Sequence, residues 1–263
     1  LEEYRVIDRL TKGKGTEIFN FGQRAAQEKA FRAAAKAFKE VIETSPSKEM
    51  FPYARFGYAR ALEEISAETD SSVVFLEDRS ALFLSPTGVV SETRTTYAGV
   101  LRLFEAIIED YPKSEFAAQS SFRIGVIKKD RFFDLDGALS AFGQVRTFPR
   151  LPLATEAAMQ VGEVLTTQNN LAKAHAEYAA ISSSNAPEIR DRALFRMAEL
   201  NYFEAKFDSA IGTLQRLTAN MGTDFANDAL QLLYFIQENK TSDPAALREF
   251  AGTDLLIRQR KYS

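Results

Sequence analysis

A small residue followed four positions later by a large apolar or aromatic one recurs at a fixed interval, and this recurrence constrains the fold more than any other feature of the chain. Ala138/Phe142, Ala174/Tyr178, Ala210/Leu214 and Ala246/Phe250 are spaced 36 residues apart. Val100/Phe104 stands 38 residues earlier, and Ala34/Phe38 a further 66, which is one period plus about 30 inserted residues. A fixed period of this size marks stacked supersecondary units, none of which can bury its apolar face alone.

A second small residue keeps the same phase. Gly22, Gly162 and Ala198 each lie 12 positions before the first member of a pair, Gly125 lies 13 before Ala138, and Gly57 holds the place in the second unit. Glycine inside a helix costs about 1 kcal/mol relative to alanine, so its repetition predicts a repeated need for close approach between helix backbones. The third register is the stop. Pro46, Pro112, Pro149 and Pro187 fall seven to nine residues after the large residue, with Gly222 in the next unit, where proline and glycine end the second helix and begin the turn to the next pair.

Ile18, Phe21, Gly22, Ala25, Ala34, Phe38 and Pro46 follow in order the pattern of the tetratricopeptide repeat, with Ile in place of its Trp and Ala in place of its Tyr. The chain resembles that family over about residues 15 to 253, departing in its 36-residue period and in having no Trp. The stretch FEAIIEDYPKSEFAAQSSFRIG looks like the variety found in bacterial cell-envelope proteins, including outer-membrane assembly lipoproteins and the Tol–Pal-associated periplasmic protein. The resemblance implies an all-α, right-handed α-solenoid of about six helix-turn-helix units, forming a single domain over 1–263. Residues 1–14, closed by Gly13 and Gly15, are expected as a lead-in whose first ten residues could form a short helix, and 224–263 as an atypical capping repeat that opens its second helix with Asp243 and Pro244.

Residues 66–96 interrupt the second unit. They hold two apolar clusters, including Phe75, Leu76, Leu82 and Phe83, where a short turn belongs. A loop of this length is functional or disordered in most domains, and apolar clusters argue against simple disorder. Two readings stand: a hairpin or short helix packed into the groove, which is favoured because exposed apolar patches are a liability, or a projecting partner contact.

In this family the first helices of successive units line an inner groove. Phe21 and Gly22 are expected as packing positions, so residues flanking that stripe point into the groove. The position two before each small residue reads Asn20, Arg55, Arg123, Gln160 and Arg196. Related repeats use equivalent polar and basic positions to grip an extended peptide or its terminal carboxylate, and the planar fork of arginine can bind a carboxylate in bidentate fashion. An acidic or C-terminal peptide is the expected partner. The competing reading is a solvated groove surface, since Glu199 lies three residues after Arg196 and Glu163 can occupy Gln160.

The sequence offers no comparable signal for chemistry. With a single histidine, His175, and no cysteine, a histidine metal cluster, a nucleophile–histidine relay and a thiolate site all lack members. His175 is expected at the surface or rim. Asp130, Asp134 and Asp136 lie at a turn and read as a helix cap, without EF-hand ligand order. No phosphate loop, GxSxG or HExxH motif occurs. No cofactor or metal is therefore expected. A net charge of −3 excludes a broad electrostatic case for nucleic acid, and the basic end from Arg258 to Lys261 reads as a frayed, solvated terminus. No signal peptide or membrane-length apolar run is visible in a chain that opens LEEYRVIDRL.

These readings make the chain a non-catalytic scaffold that binds a protein or peptide in its groove. The alternative is a homo-oligomerising or bridging module acting through the convex face or the insertion; an enzyme or small-molecule receptor ranks behind both. The resemblance suggests a periplasmic or envelope location, with the cytoplasm as the alternative.

Overall fold

The computed structural model describes residues 2–44, 48–68, 96–184, 186–219 and 225–261, with side chains from residue 15 onward except at residue 48. Those residues form twelve α-helices and no strand, an all-α solenoid architecture in which the helices follow one another as six sequential pairs. The chain divides into two compact units, residues 1–133 and 134–263.

In the first unit α1 (Glu2–Gln27) pairs with α2 (Phe31–Thr44), and α3 (Phe51–Glu68) packs on both. Helix α4 (Tyr97–Asp110) returns against α3, and α5 (Glu115–Ile127) packs on α4 and α3 before a π-helical turn over Lys128–Phe132. The expected break at Gly13 and Gly15 does not occur, because α1 runs without interruption from Glu2 to Gln27. Phe75, Leu76, Leu82 and Phe83 of the insertion lie outside the described residues. The helix on its far side starts where the pattern resumes, capped by Thr96, whose hydroxyl accepts from the Gly99 N–H.

The second unit holds α6 (Leu135–Val145), α7 (Pro152–Thr167), α8 (Leu171–Ser182), α9 (Pro187–Phe203), α10 (Phe207–Thr218), α11 (Ala226–Ser242) and α12 (Pro244–Arg258). Each helix from α6 to α11 packs on the next. Asp134 caps α6 by accepting from the Gly137 N–H at 2.9 Å, as the turn carboxylates suggested. Asp243 caps α12 through the N–H groups of Ala245 and Ala246, with Pro244 at the first helical position.

The repeated pair builds both cores. Ala34, Val100, Ala138, Ala174 and Ala210 are fully buried, and so are Phe38, Phe104, Phe142, Tyr178 and Leu214 four residues on. The glycines explain themselves through these rings. A Cβ at Gly162 would stand 2.4 Å from the Tyr178 ring, one at Gly57 2.7 Å from the Phe38 ring, and one at Gly22 3.0 Å from the other edge of Phe38. Phe38 thus fills the space left by the small residues of both α1 and α3.

Two packing expectations need correction. Phe21 is 50% exposed, and Phe19 takes its place, its ring 5.6 Å from Phe38 and 6.4 Å from Tyr53. In α12 the buried residues are Leu247 and Ala251, while Ala246 is exposed and Phe250 is 51% exposed. The last helix is rotated by one position because it has different neighbours. It packs on α11, and also on α9 and α7, the first helices of the two preceding pairs.

Candidate functional site

The ladder positions sit on α1, α3, α5, α7 and α9, the first helices of the first five pairs, and the structure places them in different surroundings. Asn20 is exposed. Arg55 pairs with Asp110 at the end of α4 and lies over the Tyr111 ring, 5.7 Å from its centroid. Arg123 makes a two-pronged contact with Glu63 of α3, its Nε donating at 3.1 Å and a terminal nitrogen reaching the other carboxylate oxygen. Arg60 reaches the same carboxylate and Glu64. Gln160 donates to Glu156 on its own helix, and Arg192 of α9 reaches Glu156 from the neighbouring pair. Arg196 donates to Glu199 at 2.6 Å and to Glu163 of α7 at 3.3 Å.

A rule emerges within each unit: a guanidinium on one first helix holds a carboxylate on the preceding first helix, as in Arg123–Glu63, Arg192–Glu156 and Arg196–Glu163. Burial alone would lower the affinity of Arg196 for its proton. The charge of Glu199, the hydrogen bond to it and the charge of Glu163 outweigh that effect, so its pKa is raised. The Glu63 side chain is only 7% exposed, so its two arginines are what keep a buried carboxylate from being isolated. In the first unit these groups wall a small cavity of about 120 Å³ with Tyr97 and Arg131, whose guanidinium stacks 5.0 Å from the Tyr97 ring centroid.

The second unit contains a larger and open cleft of about 610 Å³ between α9, α11 and α12. Phe195, Tyr202, Leu232, Phe235 and Phe250 give it an apolar lining, with Arg196, Glu199, Asp228 and Asp254 among its polar residues. Helix α12 is held across this face by polar contacts. The Tyr202 hydroxyl donates to Asp254 at 2.9 Å, and Arg258 donates to Glu199 at 2.7 Å. Gln259 donates to Asn169 at the turn between α7 and α8 at 3.0 Å. Burial, followed by the hydrogen bond to Asp254, pushes the Tyr202 phenol well above its ordinary pKa. These contacts correct the expectation of a frayed basic end: Arg258 is paired, and Gln259 is 4% exposed. Sequence reasoning missed the cleft because Tyr202, Phe235 and Phe250 read as ordinary core aromatics at helical spacing.

His175 lies 3.4 Å from Glu204 and is partly exposed. Among the described residues, no three His, Asp or Glu side chains are grouped to hold a metal ion, and no helix is long and apolar enough to cross a membrane.

The fold and this face define a class: a helical-repeat protein whose hairpins stack through a small-residue and large-ring register. The fold is that of the tetratricopeptide-repeat proteins. That family matches residues 192–220, over most of α9 and α10. A solved tetratricopeptide repeat protein from Parabacteroides merdae shares the fold, with a TM-score of 0.61 and 13% sequence identity over 95% of this chain and 85% of that one. No curated protein matches the sequence. Proteins of this fold are in general interaction scaffolds rather than catalysts.

Proposed function

We propose that the chain is a non-catalytic scaffold that holds a segment of a partner protein against its first helices, in a bacterial cell envelope. The observation that carries the binding reading is the open cleft of the second unit, where five apolar side chains and four charged ones meet on the side of α9 and α11 that α12 only partly covers. Such a mixture of apolar area and a few placed polar groups is what peptide and ligand sites require. The compartment rests on the resemblance of Phe104–Gly125 to envelope repeat proteins.

The ladder of Asn20, Arg55, Arg123, Gln160 and Arg196 belongs to this reading as the polar part of the partner-facing surface. The arginines already hold Asp110, Glu63, Glu163 and Glu199. An acidic segment would have to displace those internal carboxylates, so the reading keeps a peptide partner and does not depend on its being acidic.

The test is comparative capture. The full chain and the cleft variant Leu232→Arg are immobilised and exposed to envelope and soluble fractions of the source organism. A protein retained from the envelope fraction by the parent and lost by the variant supports the proposal. Identical captures by both proteins refute the cleft as the site. Light scattering on the same samples separates partner binding from self-association, since a dimer that Leu232→Arg dissociates would assign the face to a second copy.

A further inference from the structure

The charge of the cleft specifies its occupant further than the fold does. This inference rests on the cleft reading above and adds the chemistry of the segment bound. Three carboxylates, Glu199, Asp228 and Asp254, face one guanidinium, that of Arg196. Arg196 is committed to Glu163 and Glu199. Asp254 accepts a neutral phenol, and Asp228 makes no ion pair or side-chain hydrogen bond among the described residues. Among the described residues, two carboxylates therefore stand beside an aromatic wall without a cation partner.

The chain's own terminal helix shows what this face accepts. Arg258 crosses from α12 to donate to Glu199 at 2.7 Å, and its guanidinium lies 5.8 Å from the centroid of the Phe203 ring. A cation held by a carboxylate and an aromatic face is a favourable arrangement where solvent is partly excluded. The cleft offers the same two elements a turn or more away, with Asp228 and Asp254 as acceptors and Phe235 and Phe250, 5.2 Å apart between centroids, as the aromatic wall.

We propose that the cleft between α9, α11 and α12 is a binding site for a basic, aromatic-containing peptide segment, taking an arginine or lysine against Asp228 and Asp254 and an adjacent large apolar side chain against Phe235 and Phe250. This is the opposite charge preference from the one an arginine ladder suggests. An anionic segment in the cleft would lie beside Asp228 and Asp254, neither of which has a cation partner among the described residues, and Arg196 is already held by Glu163 and Glu199.

The experiment uses the full chain and two fluorescein-labelled synthetic peptides of identical length, one with an Arg-Phe-Arg-Leu core and one with Glu-Phe-Glu-Leu. Fluorescence anisotropy is read in low-salt buffer and again at about 0.3 M salt, where exposed charge pairs are screened. The basic peptide should bind about tenfold or more tightly than the acidic one, with the difference narrowing at high salt. The double variant Asp228→Asn/Asp254→Asn should lose most of that preference, and Phe250→Ala should weaken the basic peptide irrespective of salt. Circular dichroism melts establish that both variants are folded; if the double variant is not, Asp228→Asn alone, which breaks no internal contact, carries the test. Acidic binding equal to or tighter than basic, sensitive to Phe250→Ala, overturns the charge assignment and leaves the cleft reading standing. A basic preference unchanged in Asp228→Asn assigns the effect to the net charge of the chain and overturns the site. Failure of the basic peptide to bind overturns the inference, while partner capture decides the scaffold reading independently.

Discussion

Replacing Gly162 by alanine is the most direct test of the register that organises this fold. On helix propensity alone the substitution should stabilise α7 by about 1 kcal/mol. The new Cβ, however, would stand 2.4, 2.5 and 3.0 Å from Cε1, Cζ and Cδ1 of Tyr178. Carbon contacts are optimal at about 3.5–4.0 Å, so the ring and Cβ must separate by about 1 Å. The ring cannot swing away freely, because Tyr178 is 1% exposed. The shift must fall on the spacing of α7 and α8; with three ring atoms at or under 3.0 Å the overpacking cost falls in the upper part of the usual range, about 2–3 kcal/mol, and the net expectation is a loss of about 1–2 kcal/mol. Gly212→Ala is the internal control, because nothing lies within 4 Å of a Cβ there, and it should stabilise by about 0.5–1 kcal/mol. Thermal melts followed by circular dichroism should separate the two variants by about 4–8 °C, at roughly 2–4 °C per kcal/mol for a chain of this size. Amide exchange should show the loss localised to α7 and α8, as nearest-neighbour stability in a repeat array requires. A Gly162→Ala protein that melts at or above the parent would refute the claim that these glycines exist to admit the ring of the paired helix.

Two further outcomes follow from the charged and phenolic groups. Glu63→Gln should destabilise by about 2 kcal/mol in urea titrations, since it leaves Arg60 and Arg123 facing each other without their shared carboxylate; a loss below about 0.5 kcal/mol would show the pairs to be ordinary surface contacts. Burial, with the charge of Glu163 adding to it, raises the Tyr178 pKa above its ordinary value of 10.0, so the unfolded chain ionises first as pH rises. Its stabilising contribution is complete below pH 10 and declines above it, and Tyr178→Phe should therefore show a shallower loss of stability between about pH 9.5 and 11.5 than the parent, an unchanged slope counting against the burial argument.

What the sequence made legible is what repetition enforces. Ala174 and Tyr178 repeat because every unit must solve the same packing problem, and Gly162 repeats with them because the ring needs a partner without a side chain. Where a unit has different neighbours the pattern gives the wrong phase. Ala246 and Phe250 keep the 36-residue interval, yet α12 turns Leu247 and Ala251 inward against the helices it crosses. Phe19 and Phe21 could not be separated for a related reason, since two aromatics two positions apart both fit an amphipathic stripe until the ring they meet is known. The turns were opaque as well. Phe133, Asn169 and Ala205, spaced 36 residues apart, adopt φ values of 52°, 62° and 56°. Only Asn169 belongs to a type that favours that conformation, while the bonds Asn170 N–H to Leu165 O and Lys206 N–H to Asn201 O close the same helix-ending turn around different side chains.

The candidate site divides along the same line between residue type and residue partner. That the first helices carry arginine at regular positions is a property of one strand of text; that Arg123 and Arg196 find carboxylates on the preceding first helix, while Arg55 reaches Asp110 of α4, depends on how neighbouring helices are offset. Arg123 with Glu63 and Arg196 with Glu163 are 60 and 33 residues apart, separations that no single period predicts because one spans the insertion. The consequence for function is physical. A guanidinium already held by an internal carboxylate tightens the stack and loses much of its attraction for an external one, whereas a carboxylate left over, as at Asp228, retains its own. At the cleft of the second unit α12 supplies one cation, Arg258, to a face that holds three acids, and the basic segment proposed for that cleft would bring the rest.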